Sequence, residues 1–235
     1  MAERQPIVFI PGLMDDAYLW AHQTSFLADI AHPIVADITG QETVDAMAEM
    51  VLDHAPDSFA LAGFSLGGYV SLAIMRRAPA RVRKLALLCT SSRPDTESRR
   101  EERRAHIARA GDRSGLDRVI RDDMEFMIHP DRMADPPLVD GILAMALRQG
   151  PAVFARQHQA CMDRPDSRPS LPAIECPTLI LSGRDDRVLP LALSEEIEHG
   201  ISRARHVPIE ESGHYIPLER PHAVTALLRE WLLYA

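Results

Sequence analysis

The sequence predicts an α/β fold in which a mostly parallel sheet is covered by helices on both faces. Three observations point there. Strand-like and helix-like segments alternate with short connections. The strand-like segments are apolar on both faces, as strands buried inside a parallel sheet must be. One stretch, from Arg93 to about Pro172, interrupts the alternation with helical patterns alone.

The segments follow in order. Residues 7–10 are a β-branched apolar run ending at Pro11-Gly12, which reads as a buried strand entering a turn. Residues 17–29 have mixed helical character, and 33–37 form a second apolar run. In 43–54 (TVDAMAEMVLDH), Val44, Met47, Met50 and Val51 share one face, with Thr43 as the N-cap. Residues 59–64 are apolar throughout and lead into Gly-Phe-Ser-Leu-Gly-Gly and a helix over 66–77. Residues 82–89 (VRKLALLC) are the next strand.

The interruption begins with "ESRREERRAHIARA" (97–110), whose dense charge and few apolar positions predict a solvated helix face. Helical patterns follow over 116–129, 138–149 and 153–163. Met124, Phe126, Met127, Met145 and Leu147 are assigned to packing, and methionines placed over the sheet would also line an apolar pocket. Prolines in "DRPDSRPSLPAIECP" mark the return to strand at 177–182, helix at 191–199, a weak strand at 205–209 and a helix at 221–233 opened by Pro221. The organisation expected is a core of residues 1–92 and 173–235 with a helical cap of residues 93–172.

Bulk properties narrow the function. The 235 residues suffice for one sizeable core, and a net charge of -8 argues against nucleic acid or an anionic membrane as an unassisted partner. Cys89, Cys161 and Cys176 form no CxxC pair, so neither a disulfide framework nor a zinc knuckle is indicated. The N-terminal residues lack the apolar core of a signal peptide, and no apolar run suggests a membrane span, so a cytoplasmic location is the expectation.

Gly63-Phe64-Ser65-Leu66-Gly67 follows an apolar strand and precedes a helix. A sharp turn there would push the Ser65 hydroxyl into the open, with glycines on either side removing Cβ atoms that would clash. The other reading, a nucleotide-binding βα turn, lacks both the G-x-G-x-x-G spacing and the P-loop lysine. A serine nucleophile needs a base and an acid to orient that base. "GRDDRVLP" supplies Asp185 and Asp186 in the loop after strand 177–182, and "EESGHYIPLERP" supplies His214 after the last strand. The remaining histidines show no metal-ligand spacing, and His158 with Cys161 reads as helix packing.

With these motifs in this order, the chain resembles the α/β-hydrolase fold family over essentially its whole length. Gly183-x-x-Asp186-x-x-x-Pro190 is similar to that family's acid loop, and Gly213-His214 with Glu219 and Pro221 to its histidine loop. "IPGLMDDAYLW" resembles the loop after the first parallel strand, with Pro11 where a histidine is usual. The resemblance implies a catalytic Ser65, Asp186 and His214, with the backbone N–H groups of Leu13 and Leu66 as the oxyanion hole. It favours Asp186 over Asp185, and makes Asp95, a position some relatives use for the acid, a minor alternative. It leaves no room for an opening hairpin, so a sheet of about six strands is expected.

The activity so implied is a carboxylesterase-like serine hydrolase acting on a small, largely apolar ester through an acyl-enzyme, with no cofactor and no metal. The alternatives are hydrolysis of a carbon–carbon bond, a menaquinone-pathway-type lyase, and a ligand receptor without catalysis. Those lyases place an arginine where this chain has Tyr69, and haloalkane dehalogenases place an aspartate where it has Ser65. Cys89 borders the expected pocket as a small buried hydrophobe.

Overall fold

A computed structural model describes residues 4–235. Six strands form one sheet: β1 (Gln5–Ile10), β2 (Ala31–Val35), β3 (Phe59–Phe64), β4 (Val82–Leu88), β5 (Thr178–Gly183) and β6 (Ala204–Ile209), in the order β2-β1-β3-β4-β5-β6. Every neighbouring pair is parallel. Pro33 and Pro208 fall in the two edge strands, where a missing N–H costs least.

The central strands are buried on both faces, and their alternate residues feed two separate cores. Phe9, Ala62, Phe64 and Leu181 face one side, where α1 (Ala21–Leu27) and α9 (Pro221–Tyr234) contribute Leu27, Leu228 and Trp231. Val8, Leu61, Leu87 and Ile180 face the other, against α2 (Val44–His54), α3 (Leu66–Arg77) and α7 (Leu191–Gly200). Trp20 is fully buried, its ring 4.7 Å from that of Phe9; truncating either aromatic to alanine costs about 3–5 kcal/mol.

Local sequence sets the helix ends. Thr43 Oγ1 accepts from Ala46 N at 3.1 Å, closing the start of α2 as the Thr43 cap predicts. Between β4 and β5 lie only helices: α4 (Glu97–Arg109), α5 (Arg113–Met127), α6 (Pro136–Asp163) and short 3-10 turns. Thr96 caps α4, Asp112 caps α5 and Asp135 caps α6. Gly150, at φ 80°, breaks α6 just before Pro151. The two helices expected over 138–149 and 153–163 are therefore joined end to end without a loop. Among the described residues α6 alone is long and apolar enough to cross a bilayer, but the break leaves two pieces, each short of the roughly 20 residues a span needs.

Two elements differ from expectation. β2 begins at Ala31 rather than 33, because edge pairing with β1 from Gln5 onward extends it upstream. A short helix, α8 (Ile216–Glu219), directly follows His214 and is invisible to periodicity at this length.

Candidate active site

Ser65 stands between β3 and α3 with φ 51° and ψ −113°. A residue with a Cβ adopts this backbone only under constraint, at a cost on the order of 1–3 kcal/mol. Ser65 N donates to Leu88 O at 2.9 Å, and Ser65 O accepts from Gly68 N and Thr90 Oγ1, both at 2.9 Å. Gly63 and Gly67 make the turn sterically possible. A Cβ on Gly67 would lie 2.6 Å from Pro11 O, and one on Gly63 would lie 2.6 Å from the Gly67 carbonyl carbon. The hydroxyl opens on a cavity of about 490 Å³ between the sheet and the inserted helices.

His214 reaches that hydroxyl from the loop after β6. Its Nε2 lies 3.1 Å from Ser65 Oγ, and its Nδ1 lies 2.7 Å from Asp186 Oδ2. The other oxygen of Asp186 accepts from Val188 N at 2.8 Å and Leu189 N at 2.9 Å. An ionised carboxylate only accepts, so Nδ1 carries the imidazole proton and Nε2 is free to accept from the serine. Both side chains are buried. Burial opposes a charged imidazole, but the Asp186 carboxylate outweighs it and raises the His214 pKa above its ordinary value of 6.5. Asp185 turns the other way, 3.5 Å from His129 Nε2. Asp95 is held by Arg103 and Arg164 and is not bonded to His214.

Leu13 and Leu66 line the same cavity as Ser65 and His214, and neither N–H finds an acceptor among the described residues. The Leu66 amide is the first of α3, so it also carries that helix's N-terminal partial charge. The neighbouring Met14 sits at φ 62° and donates its N–H to Gln157 Oε1 at 2.8 Å. Gln157 belongs to α6 and is fully buried, so an inserted helix clamps the loop that carries Leu13.

Of the groups that support the site, Asp15 escapes sequence reasoning, whereas Glu219 and Cys89 are named by it. Glu219 Oε2 accepts from Gly213 N at 3.1 Å and His129 N at 2.9 Å, pinning the histidine loop to the end of α5. Asp15 is buried beside it, accepting from Gly12 N at 3.1 Å and Tyr215 Oη at 3.4 Å. Burial pushes the Asp15 carboxyl up to about 7. Cys89 is buried with its sulfur, the Asp186 carboxylate and a His214 nitrogen all within 4.8 Å of one another. Burial, with Asp186 adding to it, pushes this thiol well above 9, which keeps Cys89 a neutral packing group.

The cavity wall combines apolar and charged side chains. Leu13, Leu66, Met127, Val188, Leu189 and Leu193 do supply apolar lining near the serine. The inserted helices, however, add Arg99, Arg103, His106, His158 and Arg164. The charged stretch 97–110 is thus a solvated face only in part, since Arg103 turns inward to meet Asp95 at 2.6 Å. Met124 and Met145 are core residues, and among the described residues Met127 is the methionine that borders the cavity. His158 and Cys161 both face it, with His158 Nδ1 accepting from Arg103 Nη1 at 3.2 Å.

Comparison with known proteins bears on the family and the fold. The model of the alpha/beta hydrolase family matches residues 7–227. The AB hydrolase superfamily protein YisY of Bacillus subtilis is 31% identical over 186 residues, covering 73% of this chain and 65% of that protein, less than two thirds of its length. A pimeloyl-[acyl-carrier protein] methyl ester esterase of Nitrosomonas europaea is 24% identical over 74% of this chain and 71% of its own. Among solved structures, a thermophilic esterase from Thermogutta terrifontis with malate bound superposes with a TM-score of 0.88 at 29% identity, over 97% of this chain and 89% of that one. With the family model spanning nearly every described residue of the sheet and its loops, the chain belongs to the alpha/beta hydrolase family.

Proposed function

We propose that this hydrolase cleaves carboxylic esters of small molecules through an acyl-enzyme on Ser65. The observation that carries the reading is the continuous hydrogen-bonded chain from Asp186 through His214 to a strained Ser65 whose hydroxyl faces the cavity. Esterases among the similar proteins, such as those of Nitrosomonas europaea and Thermogutta terrifontis, support it.

His214 Nε2 takes the hydroxyl proton as Ser65 Oγ attacks the ester carbonyl. The carbonyl π bond breaks toward oxygen, and the N–H groups of Leu13 and Leu66 hold the resulting oxyanion. Each such donor is worth about 3 kcal/mol to the transition state. Asp186 stabilises the imidazolium without taking its proton. Collapse of the tetrahedral intermediate breaks the C–O bond, and the imidazolium protonates the departing alcohol. Water then repeats the sequence on the acyl-enzyme, returning Ser65 and releasing the acid. The Gln157 bond to Met14 N positions the Leu13 amide for this step, and Glu219 holds the loop that presents His214.

A fluorophosphonate probe should label the wild-type protein stoichiometrically and leave Ser65→Ala unlabelled, read by intact-protein mass spectrometry. Hydrolysis of short p-nitrophenyl esters should disappear in the same variant. An unlabelled wild type overturns the proposal. Turnover of a vinylogous diketone with no ester turnover moves the chemistry to carbon–carbon bonds.

A further inference from the structure

The inserted helices bring two guanidinium groups and one carboxylate into the wall of the Ser65 cavity. Arg103 Nε donates to Asp95 Oδ2 at 2.6 Å, and Arg164 Nη1 lies 2.7 Å from Asp95 Oδ1. The side chains of Arg103, Asp95 and Arg164 are 9%, 3% and 6% exposed. His158 adds no charge: its Nδ1 accepts from Arg103, which can only donate, so it is unprotonated there. One positive charge is therefore left over in a buried cluster. Arg93 and Arg99 on the same wall are each paired with a glutamate, Glu196 at 2.9 Å and Glu102 at 2.7 Å, and Asp123 lies 3.6 Å from His106 Nε2.

The cluster also has unused donors. Arg164 donates from Nε to Arg93 O and from Nη1 to Cys161 O, and Arg103 uses Nε and Nη1. Nη2 of each guanidinium makes no hydrogen bond among the described residues. The Arg164 guanidinium carbon lies over the Tyr69 ring, 4.1 Å from its centroid. Tyr69 is one helical turn, about 5.4 Å, along α3 from Ser65.

We propose that Arg103 and Arg164, steadied by Asp95 and Tyr69, form a subsite for one carboxylate, so that the substrates are short esters carrying a free acid group. The proposal rests on the esterase reading above and names its substrate class. Burying an unmatched guanidinium is costly unless an anion meets it, and a planar pair of N–H donors suits a carboxylate. One excess charge fits a monoanion.

The test compares kcat/KM for monomethyl glutarate with that for dimethyl glutarate at pH 7.5. The wild type should favour the monoanion by about 30-fold, the worth of a charge-assisted bond. Arg103→Gln should bring the ratio close to one, while Asp95→Asn, which leaves two unmatched guanidinium groups, should raise it. Opposite shifts cannot both come from poor folding. Arg168→Gln, on an exposed guanidinium paired with Asp166, should leave the ratio unchanged. Calorimetric binding of monomethyl glutarate, but not of the diester, to Ser65→Ala reads the subsite without any turnover. A wild-type ratio at or below one, or equal binding of both compounds, overturns the subsite. Fluorophosphonate labelling with no anion preference defeats the subsite alone; anion binding with no labelling defeats the esterase reading alone.

Discussion

Asp186→Asn should lower kcat by about 10⁴-fold while leaving the fold intact. The reason lies in which atoms the two oxygens serve. Oδ1 accepts from the Val188 and Leu189 amides at 2.8 and 2.9 Å, so the amide oxygen of an asparagine stays there. The amide nitrogen then takes the place of Oδ2, 2.7 Å from His214 Nδ1. Being a donor, it forces Nδ1 to accept, moves the imidazole proton to Nε2 and sets a donor against the Ser65 hydroxyl. The pH profile separates this from simple damage. His214 must be neutral to act as base, and Asp186 holds its pKa above 6.5, so wild-type kcat/KM should climb with pH through an acid limb above 6.5. In the variant the residual activity should have its limb displaced to lower pH. The raised pKa also has a stability consequence with a definite sign. It contributes stability fully present below pH 6.5 and lost as pH rises through the folded value, so the variant should melt earlier than wild type at pH 6 and by a smaller margin at pH 9. Asp185→Asn, on a side chain that meets His129 instead, should change kcat less than twofold or so. Equal losses in the two variants would contradict the geometry.

Local patterns carry much of this architecture. The run 59–64 is apolar without alternation because β3 is flanked by strands on both sides and helices on both faces. Ser65 is legible for a related reason: a glycine on either side of a serine between strand and helix has few other uses. The choice of Asp186 over Asp185 is different, for adjacent carboxylates look alike until a loop points one inward. Arg103 and Arg164 were beyond reach. Helix α4 has almost no apolar positions, so nothing in its periodicity marks an inward face, and Arg103 turns inward to partners on two other segments, Asp95 and His158. The Gln157 clamp joins residues 143 positions apart, and buried polar contacts of that range leave no spacing to read. The sheet and the turn that carries Ser65 are thus local properties of the chain, while the lining of the cavity is a property of packing between segments.

The acid loop and the histidine loop meet at a single tight point, and Gly183→Ala should break both stability and activity there. Gly183 ends β5, paired with Ile209 of β6. Beyond it the two loops stay joined: Arg184 N donates to Ile209 O at 2.8 Å and Asp185 N to Ser212 O at 3.0 Å. A Cβ on Gly183 would lie 2.6 Å from Ser212 O and nearer still to Gly213 O, and both are backbone atoms with no rotamer to swing away. Relief therefore requires the loops to separate, at about 3 kcal/mol, or roughly 10 °C in Tm for a chain of this size. Asp186 is three residues from the clash on one side and His214 one residue beyond it on the other, so the separation stretches their 2.7 Å hydrogen bond directly. Misplacement by about 1 Å is enough for a 10²-fold loss in kcat. Gly40→Ala is the matched control, since a Cβ there meets nothing within 4 Å. It should hold or slightly raise Tm by removing freedom from the unfolded chain. If Gly183→Ala keeps the wild-type Tm and kcat, the two loops have slack between them and do not hold His214 and Asp186 in register.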